Sequence, residues 1–171
     1  MNSPTPDGQV LSIYIVAQAG APLSSVNEIR AVAGKGLEGD RYFLAAGTFS
    51  NDEHRPDGEV TLLESEKVSE FADAYDVGIS PADLRRNIVT VGVSLNDLVD
   101  QDFLVGEVRL RGIRLCEPCD HLARLTRRQV LHGLIHRAGL RAQILADGII
   151  RVGDRIEVPR DVKQPTAKNS S

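Results

Sequence analysis

The sequence predicts a mainly β protein, a barrel or sandwich with a few short helices. Short runs rich in Val, Ile and Leu recur along the chain, Gly, Asp and Pro turn signals separate them at close intervals, and helical periodicity is confined to brief stretches. With 171 residues and no internal repeat or linker, one unit is expected from about residue 10 to residue 158, large enough to bury a core without staples. Aromatics make up 4% and Trp is absent, so Val, Leu, Ile and Ala have to build that core. Residues 1–9 and 159–171 are polar and aperiodic, and both are expected to be disordered.

Taken in order, VLSIYIVA (10–17) and SSVNEIRAV (24–32) read as the first β runs. A Gly-rich segment from Ala33 to about Gly58 follows, too long for a plain connection and so expected to be a functional loop. EVTLLE (59–64) alternates as a strand would. Ser65 opens a helical pattern with Val68, Phe71, Ala72 and Tyr75 roughly on one face. Ser80-Pro81 is a helix-start signal, and Asn87 to Val91 returns to strand character. Phe103–Val105 and Glu107–Leu115 predict paired strands around Gly106. Leu131, Leu134, Ile135 and Ala138 fit a short amphipathic helix ending at Gly139. The runs 140–146, 149–152 and 155–158 predict the last strands, punctuated by Asp147-Gly148 and Gly153-Asp154.

Net charge is −4, which argues against general attraction to nucleic acid or to an anionic membrane. No stretch approaches the roughly twenty apolar residues a membrane span needs. The start, MNSPTPDGQV, has neither the basic nor the apolar region of a secretory signal, so a cytoplasmic setting is expected. There, two cysteines three apart are thiols or ligands before they are a structural disulfide. Among the basic residues only Lys35, Lys67, Lys163 and Lys168 are lysine. The preference for Arg suits bidentate recognition of phosphate or another oxyanion, although base composition of the genome accounts for it equally.

The stretch CEPCDHLARLTRRQVLHGLIH (116–136) holds both cysteines, and Cys116, Cys119, His132 and His136 have the ligand spacing of a two-cysteine, two-histidine zinc finger. A finger also needs a small apolar core, and the two positions that would supply it hold Ala123 and Gln129. A zinc-binding protein therefore stays as the alternative, and an exchange-type C-x-x-C motif is weaker because the preceding strand belongs to an antiparallel set. The other reading is a single reactive thiol. Cys119 sits between a strand and a short helical pattern (His121–Leu125) that Asp120 can cap. A helix N-terminus and Arg124, Arg127 and Arg128 would favour its thiolate. A buried, inert cysteine competes with that reading.

Four blocks in order, GKGLEGDRYF (34–43), LRRNIVTVGVSLNDLV (84–99), FLVGEVRLRGIRLCEPCDHL (103–122) and GLRAQILADGIIRVGDRIEV (139–158), resemble the MOSC domain family, closest to its short, free-standing bacterial members. The family is named after the C-terminal domain of molybdenum cofactor sulfurase. The resemblance implies a MOSC-type β-barrel with peripheral helices over residues 10–158, and a molybdenum–pterin (molybdopterin) cofactor. It places the family's characteristic cysteine at Cys119, as sulfur carrier or as molybdenum ligand. It matches Asp40 and Arg41 to a G-D-R signature, Arg86 and Asn87 to an R-N pair, and Arg141 to a further basic position. Asp40–Arg41 can equally be an ion pair bracing the loop, and Arg86 a surface charge. Implied activities are sulfur transfer, or molybdenum-dependent reduction of N-hydroxylated small molecules. Larger relatives carry a pyridoxal-phosphate desulfurase domain or an extra β-rich domain. Neither Lys35 nor Lys67 stands out as a pyridoxal-phosphate lysine, so a cysteine desulfurase or a redox protein is expected as partner. An anion-binding module without catalysis is the remaining reading.

Overall fold

The computed structural model describes residues 8–18, 20–43, 56–118, 120–126 and 129–159. The expectations of disorder at the two ends fall almost entirely outside these residues, though the first strand begins at Gly8 and so takes in Gly8 and Gln9.

Eleven strands and three helices are found among the described residues. The strands are β1 (Gly8–Ile15), β2 (Ser24–Val26), β3 (Glu28–Val32), β4 (Gly36–Leu37), β5 (Val60–Glu64), β6 (Ile88–Val91), β7 (Asp102–Val105), β8 (Val108–Leu115), β9 (Leu140–Ile144), β10 (Gly148–Arg151) and β11 (Arg155–Glu157). The helices are α1 (Ser65–Tyr75), α2 (Asp120–Leu125) and α3 (Val130–Gly133). Strands β11, β7, β8, β9, β5, β6 and β1 pair in that order, and β1 pairs back onto β11 through Gly8↔Ile156, closing a seven-stranded barrel. Closure leaves no free edge among these strands. Strand β2 adds outside β1, and β10, β3 and β4 form a small second sheet. Only β5 and β6 run parallel; the crossover between them carries α1 and a 3-10 turn at Pro81–Leu84.

Two cores form, and β5 divides them. Val60 and Leu62 point into the barrel with Val10, Ile13, Ile88, Phe103, Leu110 and Leu140, joined by Ile29, Ala31, Leu37 and Ile150 of the small sheet. Leu63 points outward, where Val68 and Phe71 of α1, Leu122, Val130, Leu134 and Ala138 cover it. Every residue of β5 is therefore buried, because both faces of the strand are covered.

Two further expectations are corrected. The run 24–32 divides between β2 and β3, which lie in different sheets. The helix predicted through Leu131–Ala138 stops after Gly133. A Cβ on Gly133 would strike the Phe71 ring, which shows how close α3 lies to α1. Three residues later His136 adopts φ 60°, and the Glu117 carboxylate accepts its N–H at 2.8 Å. Leu134 and Ala138 are buried as the stripe predicted, but Ile135 is exposed. Among the described residues no helix is long and apolar enough to cross a membrane.

Candidate functional site at one end of the barrel

The Gly39-Asp40-Arg41 turn is pinned to the end of β1. Gly39 takes φ 90°, a conformation that favours glycine. Asp40 is fully buried: its Oδ1 accepts the Val16 N–H at 3.0 Å, its Oδ2 accepts the Tyr42 N–H at 3.3 Å, and Arg41 Nη1 stands 3.5 Å from Oδ1. The Arg41 N–H in turn donates to the Val16 carbonyl at 2.7 Å. The brace is real, but it also aims the guanidinium. Arg41 Nη2 donates to the Arg85 carbonyl at 3.3 Å, and the charge lies over the Tyr42 ring at 4.4 Å.

Burial pushes the Asp40 carboxyl above its ordinary range, against the pull of the Arg41 charge and of the N–H groups of Val16 and Tyr42. Because the folded-state value lies above the unfolded one, the native protein takes up this proton first as pH falls. The unfavourable contribution of ionised Asp40 is then full at neutral pH and fades as pH drops through the raised folded value. The wild type is therefore expected to gain stability relative to Asp40→Asn between pH 7 and about pH 4.5. Urea denaturation of both proteins at each pH measures this, and a wild type that loses ground on acidification contradicts it.

Arg85, Arg86 and Asn87 follow the 3-10 turn, whose start is a capping box: the Ser80 N–H donates to Asp83 Oδ2 at 2.8 Å. Arg85 terminates it at φ 60° and reaches the Ala21 carbonyl at 2.6 Å. Burial first, and the Arg41 charge second, lower the Arg85 pKa from its ordinary value. Arg86 Nε donates to the Ala138 carbonyl at 2.8 Å. Asn87 is fully buried and joins three strands. Its Oδ1 accepts the Thr61 N–H and hydroxyl at 3.0 and 3.1 Å, its N–H donates to Thr61 Oγ1 at 3.0 Å, and its Nδ2 donates to the Tyr14 carbonyl at 3.1 Å.

Thr61 pairs with Arg141 of β9, and Arg141 pairs with Arg114 of β8, so the Asn87–Thr61–Arg141–Arg114 row runs along the barrel's outer face. Asp57, in a 3-10 turn at Pro56–Gly58, meets both arginines: its Oδ2 accepts Arg114 Nε at 2.7 Å, and its carbonyl accepts Arg141 Nη1 at 3.3 Å. Arg141 Nε is buried with no hydrogen-bond partner among the described residues. The structure thus gathers Arg41, Arg86, Asn87 and Arg141 at one end of the barrel, with Asp40 behind Arg41.

Cys119 lies outside the described residues. The chain that bears it leaves β8 at that same barrel end. The Cys116 N–H donates to the Gly139 carbonyl at 2.8 Å, one residue from the carbonyl that receives Arg86. Helix α2 begins at Asp120, one residue beyond Cys119. Cys116 itself is a buried free cysteine. The zinc alternative loses its shared helical face: exposed His132 lies within α3, but His136 lies beyond its end, with its ring Nδ1 2.6 Å from Glu117 Oε2. Among the described residues no three His, Cys, Asp or Glu side chains form a group that could hold a metal ion.

Sequence reasoning missed Thr61, Asp57 and Arg114. Thr61 lay in a run read only for hydrophobic alternation, and the pairing of Arg114 with Arg141 depends on a strand irregularity without a sequence signal.

A closed seven-stranded barrel with small helices packed on its outside, and a buried G-D-R turn beside an arginine-rich end, defines a small MOSC-type protein. The chain belongs to the MOSC domain family, whose model matches residues 49–157, more than half of the sequence. The crystal structure of the YUAD protein from Bacillus subtilis is similar, with a TM-score of 0.77 at 17% identity over 88% of this chain and 94% of that one. YiiM from Geobacillus stearothermophilus aligns with a TM-score of 0.69 at 13% identity, covering 90% of this chain and 75% of its own. YiiM from Escherichia coli gives 0.63 at 18% identity, covering 95% and 74%. At these identities the likeness is one of fold. No curated protein matches the sequence.

Proposed function

We propose that the arginine-lined barrel end binds a molybdenum–pterin cofactor and that Cys119 supplies the sulfur that serves it. The MOSC family is associated with that cofactor. The observation that carries the reading is the convergence of Arg41, Arg86 and Arg141 on the barrel end from which the Cys119 segment departs. The donor set fits: a phosphate and oxo groups call for forked guanidinium donors, and Arg141 Nε is buried there without a partner among the described residues. When bound, the cofactor would supply two-electron and sulfur chemistry at molybdenum. Arg41 and Arg86 would hold anionic groups, each steadied by a main-chain carbonyl. Asp40 would keep Arg41 in place. Asn87 would keep β1, β5 and β6 in register beneath them. The Cys119 thiolate would ligate the metal or carry sulfur as a persulfide. Sulfur would come from a cysteine desulfurase, or electrons from a redox protein for reduction of an N-hydroxylated small molecule.

The test is metal and pterin analysis of protein expressed in a host that makes molybdopterin. Molybdenum and pterin fluorescence are expected to copurify with the wild type and with Cys116→Ala, and to drop at least tenfold in Cys119→Ala (the order of loss for one ligand or its support). Retention in Cys119→Ala removes the thiol from the site. Absence from the wild type removes the cofactor.

A further inference from the structure

Arg114 and Arg141 are cross-strand partners on β8 and β9, and this pairing exists only because β8 is irregular. Gly112 pairs with Ala142, but the next partner of β9 is Arg114, opposite Arg141, because the register shifts between Gly112 and Arg114. In an unbroken ladder Ile113 would face Arg141, and Arg114 would fall opposite Leu140, whose side chain points into the barrel core. The bulge therefore turns Arg114 outward beside a second guanidinium. Like charges directly opposite one another destabilise a sheet. Asp57 offsets only part of this, because one carboxylate and one main-chain carbonyl meet two guanidiniums. Among the described residues Arg141 Nε remains buried without a partner, and the Arg114 side chain is half-exposed.

We infer that Arg114 and Arg141, aimed by Asp57, form a clamp for a phosphate monoester. Such a group brings at least the one further negative charge that two guanidiniums sharing one carboxylate lack, and its oxygens accept from planar donor forks. Asp57 holds Arg114 by Nε, and the terminal nitrogens of that guanidinium keep N–H groups to donate. Lysine in place of Arg114 would keep the charge and lose the fork. The clamp rests on the cofactor reading for the identity of its natural ligand, which would be the terminal phosphate of the pterin.

Isothermal titration with orthophosphate tests the clamp directly. Protein made without molybdopterin is expected to bind it. Affinity should fall at least tenfold in Arg114→Gln and severalfold in Arg114→Lys, and stay within twofold in Arg109→Gln, an exposed arginine on the same strand. Melting temperatures close to that of the wild type establish that each variant is folded. Arg114→Gln that binds as well as the wild type overturns the clamp, and so does an equal loss in Arg109→Gln, which would indicate diffuse attraction. Cofactor-loaded protein that still titrates overturns the assignment to the pterin phosphate. Failure here leaves the copurification of molybdenum untouched. Loss of molybdenum binding, conversely, leaves phosphate affinity and its dependence on Arg114 in place, so the two failures are distinguishable.

Discussion

Gly139→Ala is expected to be the most damaging single-methyl change at the site, lowering stability by about 4 kcal/mol. Two effects combine. Gly139 has φ 116°, where a side chain is strained, at a cost of about 1–3 kcal/mol. An added Cβ would also collide with the Leu62 carbonyl oxygen. That oxygen has nowhere to go, because Leu62 is held between Leu140 of β9 and Ile88 of β6 in the middle of the barrel. The adjacent contacts would move too, since the Gly139 carbonyl receives the Cys116 N–H and the neighbouring Ala138 carbonyl receives Arg86. Gly153→Ala is the control. It has φ 94° with open space around the position, so only the backbone term applies. Urea unfolding followed by circular dichroism compares them, and equal losses would eliminate the collision as a cause.

Asn87→Ala is expected to cost about 2–4 kcal/mol by orphaning buried groups. The Thr61 N–H loses its acceptor, the Thr61 hydroxyl loses one of its two contacts, and the Tyr14 carbonyl loses the Nδ2 donor. All of this takes place at a fully buried residue, where water cannot substitute. Asn87→Asp keeps the acceptor for Thr61 but sets an oxygen against the Tyr14 carbonyl, so it should fall between the two in stability. The measurement is denaturant unfolding of each variant beside phosphate titration. An Asn87→Ala protein with wild-type stability and lost phosphate affinity would make this residue a ligand contact and not a strand joint.

The elements most legible in the sequence were those whose signals are local. β7 and β8 around Gly106, α1 from Ser65, and the last three strands all lie within a residue or two of their expected places, because turn chemistry and side-chain period act over a few residues. β5 was placed correctly, but local alternation does not say that both its faces are dry: Leu63 is buried because α1 and the residues around α3 cover it. The 131–138 helix failed because helical periodicity in eight residues cannot compete with tertiary anchors. Glu117 and Asn96 claim His136, and α1 leaves no room at Gly133.

At the site the contrast is sharper. Asp40, Arg41, Arg86, Asn87 and Arg141 were named from the resemblance of short blocks, and the chain's membership of the MOSC family accords with that resemblance. Their division of labour was not legible. Asp40 and Asn87 are buried and bonded to main chain, and Arg41 is buried with them between the Asp40 carboxylate and the Arg85 carbonyl, whereas Arg86 and Arg141 are each anchored to one main-chain carbonyl. Nothing in the words R-N or G-D-R separates a strut from a contact.

The amino-acid sequence by itself determined the fold class, the order of most strands and the family, because each follows from patterns a few residues long. Only the tertiary structure decided that positions 41, 86, 114 and 141 share one end of one barrel. That convergence depends on strand register and on a single bulge in β8, and one extra residue in a strand turns every following side chain to the other face without changing a letter of the pattern around it.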